Sequence, residues 1–286
     1  ELSLTGYPPE DLLLRDGFYS ACDAVLFELA QRVEGITVVV GHPQMENGKR
    51  FNAASVLQSG KLVTSYHKQR LPNHSVFDEV RYFSPGTEGC SFEVGGVEFG
   101  INICADIWEE GAPFCASQSG ARVLLVLNAS PYHMNKQISR YEAVRERIGE
   151  CGLPVVYANL VGGQDELIFD GASFVMDAGG NLVHQLPAFE EALRVVEFEN
   201  TQPQLGEIVP EHSLEQNVYR ALCLGVSDYV GKNGFPGVVL GLSGGIDSAL
   251  VLAIAVDALG AERVHAVMMP SQFTADISLH DAEAMA

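Results

Sequence analysis

The sequence predicts an α/β protein in two parts: a layered sandwich of two sheets covered by helices, then the start of a second α/β domain with a parallel sheet. Three observations carry this expectation. Runs such as "ITVVVGHPQ" and "ARVLLVLNAS" are almost continuously apolar, as in strands buried on both faces. Before residue 200, hairpin signals are mixed with strand–helix units. After residue 212 the pattern becomes strand, glycine-rich loop, helix, strand, which is a βαβ unit and implies parallel pairing.

The elements follow in order. Asp11 to Gly35 has a helical apolar repeat and a glycine stop. "ITVVVGHPQ" is a buried strand, and "FNAASVLQSGKLVTSYHK" is two strands around Ser59-Gly60. "FEVGGVEFGINIC" is a second hairpin, around Gly95-Gly96, and "ARVLLVLNAS" a buried strand. "NKQISRYEAVRERIGECG" is an amphipathic helix ended by Gly152 and Pro154. "PVVYANLVGG" reads as a strand, "ASFVMDAGGNLVHQL" as a hairpin, and "ALRVVEFE" as one further strand. The domains are expected at 1–199 and 213–286, with 200–212, "NTQPQLGEIVPEH", as a linker. A helix, "SLEQNVYRALCLGVSDYVGKNG", opens the second domain, followed by "GVVLGL", "SGGIDS", "ALVLAIAVDALG" and "RVHAVMMP". Both ends read as cut, Glu1 inside a strand end and "SLHDAEAMA" inside an uncapped helix.

Composition narrows the function classes. A formal net charge of −20 argues against nucleic-acid or anionic-membrane partners. No apolar run approaches the ~18 residues of a membrane span. No signal peptide is visible. The six cysteines are scattered without CxxC pairs, which fits a reducing, cytoplasmic setting, and no structural metal is expected.

Two stretches carry chemistry. In "GLSGGIDSA", two adjacent glycines between a strand and a helix let backbone N–H groups converge as an anion nest, reinforced by the helix N-terminus. Ser243 and Ser248 can donate to phosphate oxygens. Asp247 would repel phosphate unless a cation such as Mg²⁺ lay between. The loop is neither a Walker A nor a dinucleotide loop. The bland reading is a capped helix after a glycine turn. In "FGINICADIWEE", Cys104 ends an apolar run, where side chains become accessible. By burial alone it is as readily an inert core residue. A nucleophilic cysteine needs a base and an oxyanion donor. No histidine stands in a suggestive motif, but Glu1 and Lys68 also lie at strand ends.

"SGGIDS" resembles the SGGxDS pattern of the PP-loop ATP pyrophosphatases, which adenylate a substrate and release pyrophosphate. "ELSLTGYPPEDLL", "YHKQRLPN…FDEVRYFSPG" and "GINICADIWE" together resemble the nitrilase (carbon–nitrogen hydrolase) superfamily. That resemblance implies an α-β-β-α sandwich with Glu1, Lys68 and Cys104 as the catalytic set and Glu79 supporting the lysine. It also implies that the first strand of the fold is missing before Glu1. The two domains joined resemble the glutamine-dependent NAD⁺ synthetase family, a likeness extended by "NASPYHMNK" and "MMPSQFTADISLHDA".

The joint resemblance implies a chemistry. Glutamine would be cleaved through a Cys104 thioester, with Glu1 as base and Lys68 and the Ala105 N–H holding the oxyanion. His74, where that family usually has tyrosine, Ser130, Lys136 and Tyr7 would contact glutamine. ATP would lie on Gly241, Leu242, Ser243, Gly244, Gly245, Ile246, Asp247 and Ser248, with Mg²⁺ on Asp247. Deamido-NAD⁺ would be amidated to NAD⁺, in a cytoplasmic homo-oligomer. Cys22, Cys90, Cys115, Cys151 and Cys223 read as structural, Trp108 as packing and Asp106 as support. The competing readings are a stand-alone amidase, a different PP-loop amidotransferase such as a GMP or asparagine synthetase, and a non-catalytic relative. The SGGIDS loop argues against the first and the Glu-Lys-Cys set against the second.

Overall fold

The computed structural model describes residues 1–286 in two compact units. One is Glu1–Leu160 with Gly171–Glu211, the other Val161–Asp170 with His212–Ala286.

In the first unit, helix α1 (Asp16–Arg32) precedes strands β1 (Thr37–Glu46), β2 (Lys49–Gln58) and β3 (Lys61–His67). These form a three-stranded antiparallel sheet in the order β1-β2-β3. The β2–β3 turn is tight because Ser59 and Gly60 both take positive φ, 49° and 79°. Then come β4 (Ser91–Val94), β5 (Val97–Ile103), helix α2 (Ala112–Gln118), β6 (Val123–Asn128), helix α3 (Lys136–Cys151) and β7 (Val155–Asn159). A hairpin of β8 (Val161–Gln164) and β9 (Leu167–Asp170) belongs to the second unit. The chain returns through β10 (Phe174–Met176) and β11 (Leu182–Gln185). The second sheet has six strands in the order β11-β10-β7-β6-β5-β4, with β5, β6 and β7 parallel.

Layering follows from which side of each strand is apolar. Ala54, Val56 and Tyr66 of the first sheet pack on Phe92, Ile101 and Ile103 of the second. On the outside, Leu26 and Ala30 of α1 cover Val40 and Leu57. Ala116, Val144 and Ile148 of α2 and α3 cover Leu124, Val126 and Tyr157. In β6, Leu124 and Val126 face the helices while Leu125 and Leu127 face the other sheet. Both faces are buried, which explains the continuous apolar run. The result is an α-β-β-α sandwich.

Several elements differ from expectation. The helix expected over Asp11–Gly35 is a 3-10 turn, Glu10–Leu14, and then α1, with Arg15 extended between them. Arg50 bonds the Leu14 carbonyl and Asp16 across that break. "PVVYANLVGG" is two strands, because β8 leaves β7 to pair with β9. "ALRVVEFE" is not a strand: only β12 (Phe198–Glu199) pairs, with β13 (Gln202–Pro203). Leu193 and Val195 stand 91% and 83% exposed, so no packing holds them in a sheet. Residues 204–209, inside the expected linker, bond to the sheet edge: Gly206 N–H donates to Val183 O and Val209 N–H to Gln185 O.

In the second unit, α4 (Leu214–Lys232) begins with a capping box, Ser213 with Gln216. Strand β14 (Val238–Gly241) leads through the glycine loop into α5 (Ile246–Leu259), then to β15 (Val264–Val267), parallel to β14. Helix α6 (Asp276–Met285) ends the chain as described.

Candidate active site

Cys104 follows the last residue of β5 and opens a 3-10 turn, Cys104–Ile107, with φ at +41°. A non-glycine residue held in the left-handed region costs free energy and persists only where its surroundings fix it. Here the fixing group is Asp106, buried beneath the turn. Its Oδ2 accepts from Ile103 N–H at 2.9 Å and from Tyr66 O–H at 2.8 Å. Its Oδ1 accepts from Gln69 N–H at 3.0 Å and Arg70 N–H at 2.8 Å. One carboxylate thus ties the Cys104 turn to the chain just after Lys68.

Lys68 follows β3, and its side chain is fully buried together with that of Glu1. Lys68 Nζ donates to Glu1 Oε1, and to Glu79 Oε1 at 2.8 Å. Glu79 opens a 3-10 turn, Glu79–Arg81, and is itself buried. Tyr7 O–H donates to Glu79 Oε1 at 2.7 Å, and Ala129 N–H to Glu1 Oε2 at 3.3 Å. Glu1 packs against β1 where only glycine fits: a Cβ on Gly41 would lie 1.4 Å from the Glu1 carbonyl oxygen.

The electrostatics divide the two carboxyls. Burial raises Glu79 to about 8, with Lys68 opposing and Glu1 adding to the shift. Burial is the largest single influence on Glu1 and opposes its charge, but Lys68, the residue's own α-ammonium and hydrogen bonds with Glu79 and Lys68 together hold Glu1 below the ordinary carboxyl range. Burial disfavours the Lys68 ammonium too, and the two glutamates more than compensate, so it stays charged. The pair therefore shares one proton at neutral pH. Burial pushes the Cys104 thiol up; Glu1 and Glu79 add to this and Lys68 opposes it. All three groups act on the same sulfur, whose resting form is the thiol.

Cys104 opens onto a cavity of about 200 Å³, also lined by Ala105, Trp108, His74, Ser130 and Lys136. This is below the ~300–1,000 Å³ of drug-sized sites and suits a small molecule. Lys136 Nζ stands 4.1 Å from the Trp108 ring centroid, and His74 packs edge-on to Phe77. Ser130 is clamped from behind: Arg140 donates to its Oγ and carbonyl, and Asn159 bonds its N–H and carbonyl. Glu1, Lys68, Glu79 and Tyr7 lie behind the cysteine, and Tyr7 does not line the cavity. Trp108, expected as packing, does both: it packs on the α2–α3 side and lines the cavity. Sequence reasoning passed over Asn52, whose Nδ2 donates to Glu1 Oε1 at 2.7 Å. The available signal was a polar residue inside the apolar run "FNAASVL".

Residues 241–248 run from the end of β14 into α5. Gly244 takes φ +80°, and a Cβ there would lie 2.2 Å from the Ser278 carbonyl oxygen. Ser248 Oγ accepts from Ser243 N–H at 3.2 Å and lies 3.0 Å from Ser243 Oγ. Leu242 is buried beneath the loop, while Ile246 and Asp247 are exposed. Asp247 stands in the first turn of α5.

A buried glutamate–lysine pair behind a cysteine, on an α-β-β-α sandwich, defines the class. The carbon-nitrogen hydrolase family model matches residues 1–202, and the chain belongs to that family. The NAD synthase model matches residues 218–286. The chain is 46% identical over 284 residues to the glutamine-dependent NAD(+) synthetase of Xanthomonas campestris pv. campestris, covering 97% of this chain and 51% of that protein. The structure of glutamine-dependent NAD⁺ synthetase from Acinetobacter baumannii in complex with ADP aligns with a TM-score of 0.92 at 45% identity, over 97% of this chain and 53% of that one. An amidase from Nesterenkonia sp. aligns with a TM-score of 0.56 at 26% identity, over 64% of this chain and 69% of that one. The chain spans about half the length of the synthetases it matches. No helix is long and apolar enough to cross a membrane.

Proposed function

We propose that this chain cleaves the side-chain amide of L-glutamine at Cys104, and that the protein containing it uses the ammonia to convert deamido-NAD⁺ to NAD⁺ with ATP. The observation that carries the first step is the buried Lys68–Glu1 ion pair acting on the Cys104 thiol at the floor of a small cavity. Glu1, ionised at rest, accepts the thiol proton as sulfur attacks the amide carbon. Lys68 and the Ala105 N–H stabilise the oxyanion; removing one such donor typically costs ~10²–10³ in rate. Glu1 passes its proton to the departing ammonia and then activates the water that hydrolyses the thioester. Lys136 and Ser130 bind the amino-acid end of glutamine, and His74 closes the cavity beside Phe77.

The second step rests on the NAD synthase match and the loop geometry. ATP phosphates lie on residues 241–248, cradled by backbone N–H groups and by Ser243 and Ser248. No cluster of three or more His, Cys, Asp or Glu side chains able to hold a metal is present. A Mg²⁺ ion fits here with Asp247 as a single carboxylate ligand and nucleotide phosphates supplying others, the usual manner of that ion. The deamido-NAD⁺ carboxylate then attacks the α-phosphate of ATP, releasing pyrophosphate, and ammonia displaces AMP from the resulting acyl-adenylate. We place the protein in the cytoplasm as a homo-oligomer.

The test is Cys104→Ala in the full-length protein. Glutamine-driven NAD⁺ formation should vanish while ammonia-driven formation persists; normal glutamine use by the variant would remove Cys104 from its role. Glutamine hydrolysis with no NAD⁺ formation from either nitrogen source would instead make the protein a simple amidase.

A further inference from the structure

Asn52 lies on β2 with only 1% of its surface exposed. Its Nδ2 reaches Glu1 Oε1 at 2.7 Å and Glu79 Oε1 at 3.4 Å, the same two oxygens that Lys68 Nζ bridges. At its other end, Oδ1 is buried with no hydrogen-bond partner. An orphaned buried acceptor is destabilising and calls for a reason. Turning the amide over would set Oδ1 against two carboxyl oxygens, so its orientation follows from its neighbours.

The two carboxyls otherwise have similar sets of hydrogen-bond donors, and Glu1 has its own α-ammonium nearby as well. Apart from Asn52, Glu1 accepts from Lys68 and the Ala129 N–H, and Glu79 from Lys68 and the Tyr7 O–H. Like charges this close cannot both ionise cheaply. Glu79 Oε2 has no hydrogen-bond partner, so no donor at that oxygen holds a charge on Glu79. We propose that Asn52 is a positioning residue that decides which carboxyl is the base: its short bond keeps the charge on Glu1 and leaves the shared proton on Glu79. The groups facing Glu1 are Lys68, Glu79, Cys104 and the residue's own α-ammonium, with Tyr7 behind Glu79, and of the side-chain donors that reach Glu1, Asn52 is uncharged at every pH. This inference rests on Glu1 acting as base for Cys104.

The experiment is the pH profile of glutamine-hydrolysis kcat/KM in full-length protein carrying Asn52→Leu or Asn52→Ala. The acid limb reports ionisation of the base in the free enzyme. Losing the bond raises the pKa of Glu1, so the limb should move to higher pH by about one unit, a tenfold loss below it. Asn52→Ala removes the same donor with no added bulk or charge, so it should move the limb the same way and carries the test if the leucine variant does not fold. A lowered melting temperature with the limb unmoved would mean a merely structural role and overturn the proposal. In wild-type protein, carbon NMR of the glutamate carboxyls should show one titrating above the ordinary range and missing in Glu79→Gln; its persistence there would also overturn it. Glutamine hydrolysis surviving in Cys104→Ala would instead sink the parent reading.

Discussion

Asp106→Asn tests how the nucleophile turn is held. In the wild-type protein four donors converge on the carboxylate, Gln69 and Arg70 N–H on Oδ1 and Ile103 N–H and Tyr66 O–H on Oδ2. The amide has the same shape but one oxygen. If that oxygen stays with Gln69 and Arg70, its nitrogen faces the Ile103 N–H and the Tyr66 hydroxyl. Tyr66 can reverse only if the Asn102 amide, which donates Nδ2 to its oxygen at 3.2 Å, turns with it, and the Ile103 N–H is left without an acceptor either way. The opposite flip orphans two backbone N–H groups and is worse. The better flip leaves a buried N–H unsatisfied and removes a charge-assisted bond, together costing about 3–5 kcal/mol. At the ~2–4 °C per kcal/mol of a domain this size, the melting temperature should fall by about 6–20 °C. The freed Cys104 turn should also lose alignment, lowering kcat for glutamine hydrolysis by about 10²-fold. Thermal melting and steady-state glutamine hydrolysis read the two effects. A melting temperature within ~2 °C of wild type together with unchanged kcat would refute the idea that Asp106 holds the turn.

Glu79→Gln should leave measurable glutamine hydrolysis, because the wild-type group is protonated at neutral pH, whereas Glu1→Gln should abolish it. The Glu79 pKa of about 8 lies above the ordinary 4.5 of an unfolded chain. Its contribution to stability is therefore full below 4.5 and lost as pH rises through 8. Melting temperature should fall over that window in wild type and fall less in Glu79→Gln; equal slopes would contradict the assignment. Lys136→Ala should raise the KM for glutamine by about 10–100-fold with a smaller effect on kcat, while an unchanged KM would exclude Lys136 from substrate binding. Asp247→Asn should impair NAD⁺ formation from glutamine and ammonia alike. Unchanged ammonia-dependent turnover would remove Asp247 from metal binding.

Local patterns carried much of the fold. The β2–β3 and β4–β5 hairpins were legible because paired turn residues with positive φ leave a mark in the sequence. "ALRVVEFE" misled because apolar, β-branched residues record strand propensity but not whether a sheet edge is available, and here the chain runs exposed. The break of "PVVYANLVGG" at Leu160 was equally hidden, since pairing of β8 with β9 is decided by partners distant from β7.

By itself the sequence determined the chemistry on offer: a cysteine at a strand end, a lysine and a glutamate at two others, and a glycine-rich loop between a strand and a helix. Motif spacing and residue type record those. Tertiary structure alone decided how the groups share charge. Glu79 and Glu1 are both glutamates, yet burial around one lysine leaves a proton on the first and a charge on the second. Asn52 and Asp106 owe their positions to contacts across dozens of residues of chain, from β2 to Glu1 and from the Cys104 turn to Tyr66 and Arg70. Desolvation and hydrogen-bond geometry depend on the packed neighbours, and those are set by the fold rather than by adjacency in the chain.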